Sequence, residues 1–150
     1  MTEESQILGQ LKQGLPVVMN TRGISMRPLL RQGKTQVLIE PLHRELEIGE
    51  LPLFLRQDGR LVIHRLVGRD PQNYHTRGDN CISGESFPRE NAYGVVTRIY
   101  RGQKALEVTD WRYRAYVSVW MHTAGIRIFW KKCLARLHSA ASRVKHRLFP

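Results

Sequence analysis

The sequence predicts a mostly β domain followed by a helical tail, and three observations predict it. Short apolar runs separated by glycine-rich turns recur from residue 15 to residue 108. An Asp58-Gly59 pair lies between two of these runs and is the strongest hairpin signal in the chain. Beyond Asp110 the pattern changes from strand to helix, first rich in aromatics and then striped with apolar residues at helical period. The 150 residues therefore divide into a β domain over 1–110 and a basic, aromatic helical tail over 111–150.

Taken in order, residues 4–13 predict a short helix with Ile7, Leu8 and Leu11 on one face, ended by Gly14. Residues 15–19 read as an apolar strand leading into a Gly/Pro loop, and 29–33 as a turn of helix stopped by Gly33. The aliphatic and β-branched run 35–40 predicts a strand, and 41–49 a connection of mixed charge. Runs 51–56 and 60–67 form a hairpin around 57–59, with His64 near the middle of the second strand. Residues 74–77 predict a short strand, 81–90 a polar loop, and 93–100 with 105–108 a second hairpin. In the tail, 111–123 and 126–148 predict helices broken at Gly125. Ile126, Trp130, Cys133, Leu134, Leu137, Ala141, Val144 and Leu148 fall on one stripe of the second.

Composition narrows the function classes. Hydrophobic and charged fractions of 41% and 25% are ordinary for a folded soluble domain. Cys81 and Cys133 have neither metal-ligand spacing nor a disulfide framework, and the six histidines are scattered, so no metal and no cofactor is expected. The polar, acidic start MTEESQILGQ is unlike a secretory signal, and no apolar run reaches the ~18 residues of a membrane span. The expected location is the cytoplasm, free or peripheral at a membrane. Net charge is +11, yet residues 111–150 carry nine basic residues and no acidic one. Charge arguments about partners therefore concern the tail.

Three punctuated positions could carry chemistry. Ser25 lies between Gly23 and Pro28, which stiffen its loop and leave its backbone N–H free. His64 could take the hydroxyl proton at neutral pH, because free imidazole titrates near ~6.5. Asp79, in Gly78-Asp79-Asn80, could hold that imidazole in one tautomer. Each has an ordinary alternative: a turn serine, a half-buried strand histidine, a turn aspartate. Cys81, near Asp79, has nothing nearby to lower its pKa and is a poor nucleophile.

Gly23-Ile24-Ser25-Met26-Arg27-Pro28, Ile63-His64-Arg65 and Arg77-Gly78-Asp79-Asn80, in that order, resemble the boxes of type I signal peptidases. The likeness is greatest to the archaeal and endoplasmic-reticulum branch, with its Ser-Met-x-Pro, His-Arg and Gly-Asp-Asn. Gly49-Glu50-Leu51-Pro52-Leu53-Phe54 resembles that family's Gly-Asp-hydrophobic strand, with Glu50 in place of the usual Asp. The resemblance covers residues 21–98, roughly half the chain. It implies the small signal-peptidase/repressor-protease β fold and a serine endopeptidase acting on a peptide or protein precursor. Ser25 would be the nucleophile, and His64 would stand where the bacterial branch and the self-cleaving SOS repressors carry a lysine. Asp79 would orient His64, with Glu85 as the second choice. Gly23 and Met26 flank Ser25 in the oxyanion and substrate loop, and the Ser25 N–H would be one oxyanion donor. Many signal peptidases have a serine where Gly23 stands, so backbone donors would have to suffice. The usual N-terminal membrane anchor and a repressor's helix-turn-helix are not expected either.

For the tail, two readings are equal and a third is weaker. It could pack on its own domain with a solvated basic face. It could instead lie at an anionic membrane surface, with Trp111, Trp120, Phe129 and Trp130 at the headgroup boundary. Nucleic acid is the least favoured partner. The alternative to a peptidase is a non-catalytic member of the same fold that binds a membrane or partner through this tail.

Overall fold

The computed structural model describes residues 2–148, with side chains through residue 137. In chain order the elements are α1 (Glu3–Lys12), β1 (Val17–Asn20), β2 (Gln36–Pro41), β3 (Pro52–Leu55), β4 (Leu61–Ile63), β5 (Arg65–Arg69), β6 (Asn73–Arg77), β7 (Glu85–Pro88), β8 (Ala92–Arg101), β9 (Lys104–Glu107), α2 (Trp111–His122) and α3 (Ala124–Leu148). A single 3-10 turn, Arg89–Asn91, joins β7 to β8. The fold is mostly β with a helical C-terminal part, as the sequence predicts.

The strands form two antiparallel sheets. One runs β1-β2-β8-β3-β4, with β9 also on β8; the other runs β5-β6-β7. The Asp58-Gly59 hairpin forms with Leu53 opposite Ile63 and Leu55 opposite Leu61. One apolar cluster lies under the larger sheet, where Ile7 and Leu11 of α1 meet Val37, Ile39, Leu53 and Val96. A second fills the space between the sheets, and its Phe54 and Phe87 rings stack with centroids 3.9 Å apart. α1 starts at Thr2, whose Oγ1 accepts the Ser5 N–H at 3.3 Å, an N-cap that satisfies one orphan donor.

Four boundaries differ from the sequence reading. The expected strand 60–67 is two strands in different sheets, and His64 is the residue between them. The expected loop 81–90 contains β7, whose Glu-Ser-Phe-Pro sequence is too polar to read as a strand. Only Phe87 is buried there, as suits an edge strand with one covered position. Residues 29–33 form turns rather than a helix, with one i→i−4 bond from the Leu30 N–H to the Met26 carbonyl at 2.9 Å. The helical break falls at Thr123, the C-cap of α2, and Gly125 lies in the first turn of α3. Helix α2 belongs to the same core as the strands, because Tyr113 is buried with Leu51 and Val96. Ala141, Val144 and Leu148 of the apolar stripe have side chains outside the described residues.

Candidate active site

Ser25 lies in the long loop between β1 and β2, and that loop is closed at its foot by two buried threonines. The Thr21 N–H and Oγ1 both donate to the Thr35 carbonyl at 3.0 Å, and the Arg31 N–H donates to Thr35 Oγ1 at 3.1 Å. Met26, Leu29 and Leu30 point down into the core. Burial of each such side chain contributes about 1.5–3 kcal/mol, so the loop is pinned from below. Gly23 has φ +76°, a left-handed conformation that a side chain would strain. Ser25 is left half-buried on the upper side.

The turn after β6 holds this loop from the side. The Asn80 N–H donates to the Ser25 carbonyl at 2.7 Å, and Asn80 Nδ2 donates to the Ile24 carbonyl at 3.2 Å. The approach requires Gly78: a Cβ there would lie 2.7 Å from the Ser25 carbonyl oxygen and 2.8 Å from Cys81 Sγ. The Gly78-Asp79-Asn80 segment, which reads as an ordinary turn in the sequence, is thus the seat of the Ser25 loop.

Asp79 does not orient His64; it is committed to Arg65. Arg65 Nε donates to Asp79 Oδ1 and Arg65 Nη2 to Oδ2, each at 2.7 Å. The Tyr116 hydroxyl donates to the same Oδ2 at 3.1 Å. Arg65 is 1% exposed, and a guanidinium so deeply enclosed needs a carboxylate and further acceptors around it. It finds them in Asp79 and in the Gly49 carbonyl, at 2.8 Å. Both Asp79 oxygens are consequently occupied. Burial opposes the charge on Arg65, but Asp79 and Tyr113 outweigh it and raise its pKa.

The carboxylate on His64 is Glu85, the second choice of the sequence reading. Glu85 Oε1 lies 2.6 Å from His64 Nδ1. At that distance the carboxylate fixes the ring by proximity rather than by an aligned hydrogen bond. Arg56 clamps Glu85 from the other side, Nε on Oε2 and Nη2 on Oε1, both at 2.7 Å. His64 and Arg65 are successive residues at a strand junction and present their side chains to different partners. Phe54 contacts the imidazole edge-on, with ring centroids 6.3 Å apart.

These surroundings set the charge states. Burial lowers the His64 pKa, only partly offset by the negative charge of Glu85, so the ring is neutral at neutral pH. Burial tends to raise Glu85, but the Arg56 hydrogen bonds and the nearby His64 hold it below the usual carboxylate range. A neutral imidazole beside a fixed carboxylate is equipped to accept a proton.

The Ser25 loop leaves fewer groups free than the sequence suggests. The Gly23 N–H is taken by Gln32 Oε1 at 3.1 Å, so Gly23 contributes conformation and not a donor. The Met26 side chain is a core anchor, 5% exposed. Among the described residues, the backbone N–H groups of Ser25 and Met26 donate to nothing, and Ser25 Oγ has no hydrogen-bond partner. A groove of about 920 Å³ lies between the larger sheet and α2 and is lined by neither Ser25 nor His64.

Sequence reasoning missed Arg56, Arg65, Tyr116 and Lys131. Arg65 had a usable signal: an arginine inside an apolar strand run must find a buried carboxylate. Lys131 had none, since its Nζ reaches Asn80 Oδ1 and the Asn80 carbonyl, at 2.6 Å each, only through the docking of α3. No family model and no curated protein matches the chain.

Proposed function

We propose that this chain is a serine endopeptidase of the type that signal peptidases and self-cleaving repressors represent. Ser25 is its nucleophile, His64 its general base and Glu85 the carboxylate that orients the base. Asp79 holds the scaffold through Arg65. The observation that carries the reading is the neutral, nine-tenths buried His64 beside Glu85, next in the chain to the Arg65–Asp79 pair whose turn supports the Ser25 loop.

In the reaction, Ser25 Oγ attacks the scissile carbonyl as His64 Nε2 takes the hydroxyl proton. Charge developing on the carbonyl oxygen is met by the Ser25 N–H, with the Met26 N–H as the second available donor; one such donor is worth about 2.7–4 kcal/mol elsewhere. His64 returns the proton to the leaving amine, and water then hydrolyses the acyl-enzyme through the same base. Catalytic hydrogen bonds of this kind tighten when substrate binds, which suits the unengaged Ser25 Oγ.

The substrate is a peptide or protein segment bound in extended form beside the Ser25 loop. β1 and β4 are edge strands of the larger sheet, as is β9; of these, β1 runs into the Ser25 loop and β4 into His64. Strand addition to such an edge needs no deep pocket.

The test is covalent trapping. A fluorophosphonate should add one adduct to the full chain, mapped to Ser25 by peptide mass spectrometry, and Ser25→Ala and His64→Ala should each abolish both adduct and peptide cleavage. A Ser25→Ala protein that still cleaves peptides would overturn the proposal.

A further inference from the structure

We infer that the outer face of α3 docks the protein onto an anionic lipid surface, a property independent of the chemistry at Ser25. At roughly 100° per residue, Ala124, Arg127, Ile128 and Lys131 share one side of the helix, and that side is the half-buried one. Ile126, Phe129, Trp130 and Leu137 share the opposite side and are 64%, 64%, 62% and 66% exposed, with Leu134, 51% exposed, on its flank.

This orientation is the reverse of a helix that packs its apolar stripe on its own domain. It is held by specific contacts. Arg127 Nη1 donates to the Asp79 carbonyl at 3.3 Å, and the Arg127 guanidinium lies 3.5 Å over the Trp120 ring. Lys131 Nζ donates to the Asn80 carbonyl and Oδ1. Two cations that would serve a solvated face are thus turned inward, and four large apolar residues are turned out, with a fifth beside them. Such a stripe calls for a partner.

Charge selects which partner. Residues 111–150 carry nine basic residues and no acidic one, so the apolar stripe belongs to a strongly cationic segment. An apolar face with Phe and Trp on a cationic helix is the arrangement that enters the headgroup boundary of an anionic bilayer. A second copy would bring the same positive charge to the same face and be repelled. Nucleic acid would use the charge and the rings but gains nothing from Ile126, Leu134 and Leu137. No helix among the described residues is long and apolar enough to cross a membrane, so the contact is interfacial.

The experiment uses the full chain with phosphatidylcholine vesicles, with and without phosphatidylglycerol, read by flotation and by tryptophan emission. The expected result is binding to the anionic vesicles that weakens with salt, accompanied by a blue shift. Phe129→Ser with Trp130→Ser, both at exposed positions, should reduce partitioning at least about tenfold while leaving the melting temperature unchanged, since even one fully lost aromatic contact is worth about a factor of ten. Failure to bind anionic vesicles, equal binding to neutral ones, or undiminished binding by the double variant would overturn the inference. So would light scattering that finds a dimer abolished by the same substitutions, or oligonucleotide retention abolished by them, which would give the face to a second copy or to nucleic acid.

Discussion

Arg65 and Asp79 form a two-point ion pair with side chains 1% and 2% exposed, linking the strand junction that carries His64 to the turn that supports Ser25. Removing one partner leaves an uncompensated buried charge. Asp79→Ala is therefore expected to lose about 3–5 kcal/mol of stability in urea denaturation. Arg65→Met combined with Asp79→Leu removes both charges and should recover most of that loss. If the double variant is no more stable than Asp79→Ala, the pair is not the source of the effect.

The pH dependence of Ser25 reactivity follows from the two opposing influences on His64. Burial lowers its pKa and Glu85 raises it, with burial larger. With His64 as the proposed base, reactivity should need the neutral ring and fall as pH drops through the His64 pKa, below the ~6.5 of free imidazole. Glu85→Gln removes the raising influence, so the acid limb of the rate profile should move to still lower pH. The plateau should fall on the order of tenfold to a hundredfold as the ring loses its orienting partner. Fluorophosphonate labelling rates across pH, with imidazole shifts by NMR, measure both. An acid limb that moves upward in Glu85→Gln would contradict this assignment.

The same residue also links pH to stability. Because the folded His64 pKa is depressed, the unfolded chain binds the extra proton more readily. His64 is neutral in both states above about pH 6.5, and below that the unfolded form gains by protonation. Stability should therefore decline as pH falls from about 6.5 through the folded pKa, and His64→Gln should flatten that part of the curve. Urea titrations of the two proteins over this interval supply the comparison.

The legible parts of the sequence were those set by local chemistry. Asp58-Gly59 specified its hairpin because few residues accept the required backbone, and Gly59 has φ +80°. Ser25 stood out because Gly23 and Pro28 punctuate its loop, and His64 because it falls in the expected second strand of that hairpin. The choice between Asp79 and Glu85 was not legible, because it depends on which carboxylate the buried Arg65 claims first. β7 was hidden for a related reason. Its pairing with β6, not its composition, makes Glu85 a strand residue and brings it opposite Thr76. Helical period located the stripe on α3 but could not say which side faces the domain; Arg127 and Lys131 decide that through contacts distant in sequence.

Gly78 offers a test of the close contact beneath Ser25. An added Cβ would meet the Ser25 carbonyl oxygen at 2.7 Å and Ser25 Cβ at 3.1 Å, and neither is the free end of a flexible side chain. Gly78→Ala must push the loop away, at a cost of about 1–3 kcal/mol typical of overpacking. Because the displaced atoms belong to Ser25 itself, labelling should slow more than stability alone explains when both are measured at a temperature where the variant is folded. Gly125→Ala, where nothing lies within 4 Å, is the matched control and should do neither.

Lys131 reaches the same loop from the tail. Its ammonium holds both acceptors of Asn80, whose N–H and Nδ2 in turn hold the Ser25 and Ile24 carbonyls. Lys131→Met keeps the aliphatic stem and removes those donors, leaving the Asn80 acceptors to water. Hydrogen bonds from a charged donor contribute about 1.5–3 kcal/mol, less at a half-buried site, so a stability loss near 1 kcal/mol is expected. The labelling rate at Ser25 should fall several-fold, because a looser Asn80 no longer fixes the loop. Lys132→Met, one residue on and exposed, removes the same charge from the helix without touching Asn80. Equal slowing in the two variants would point to net charge rather than to Asn80 as the route from α3 to Ser25.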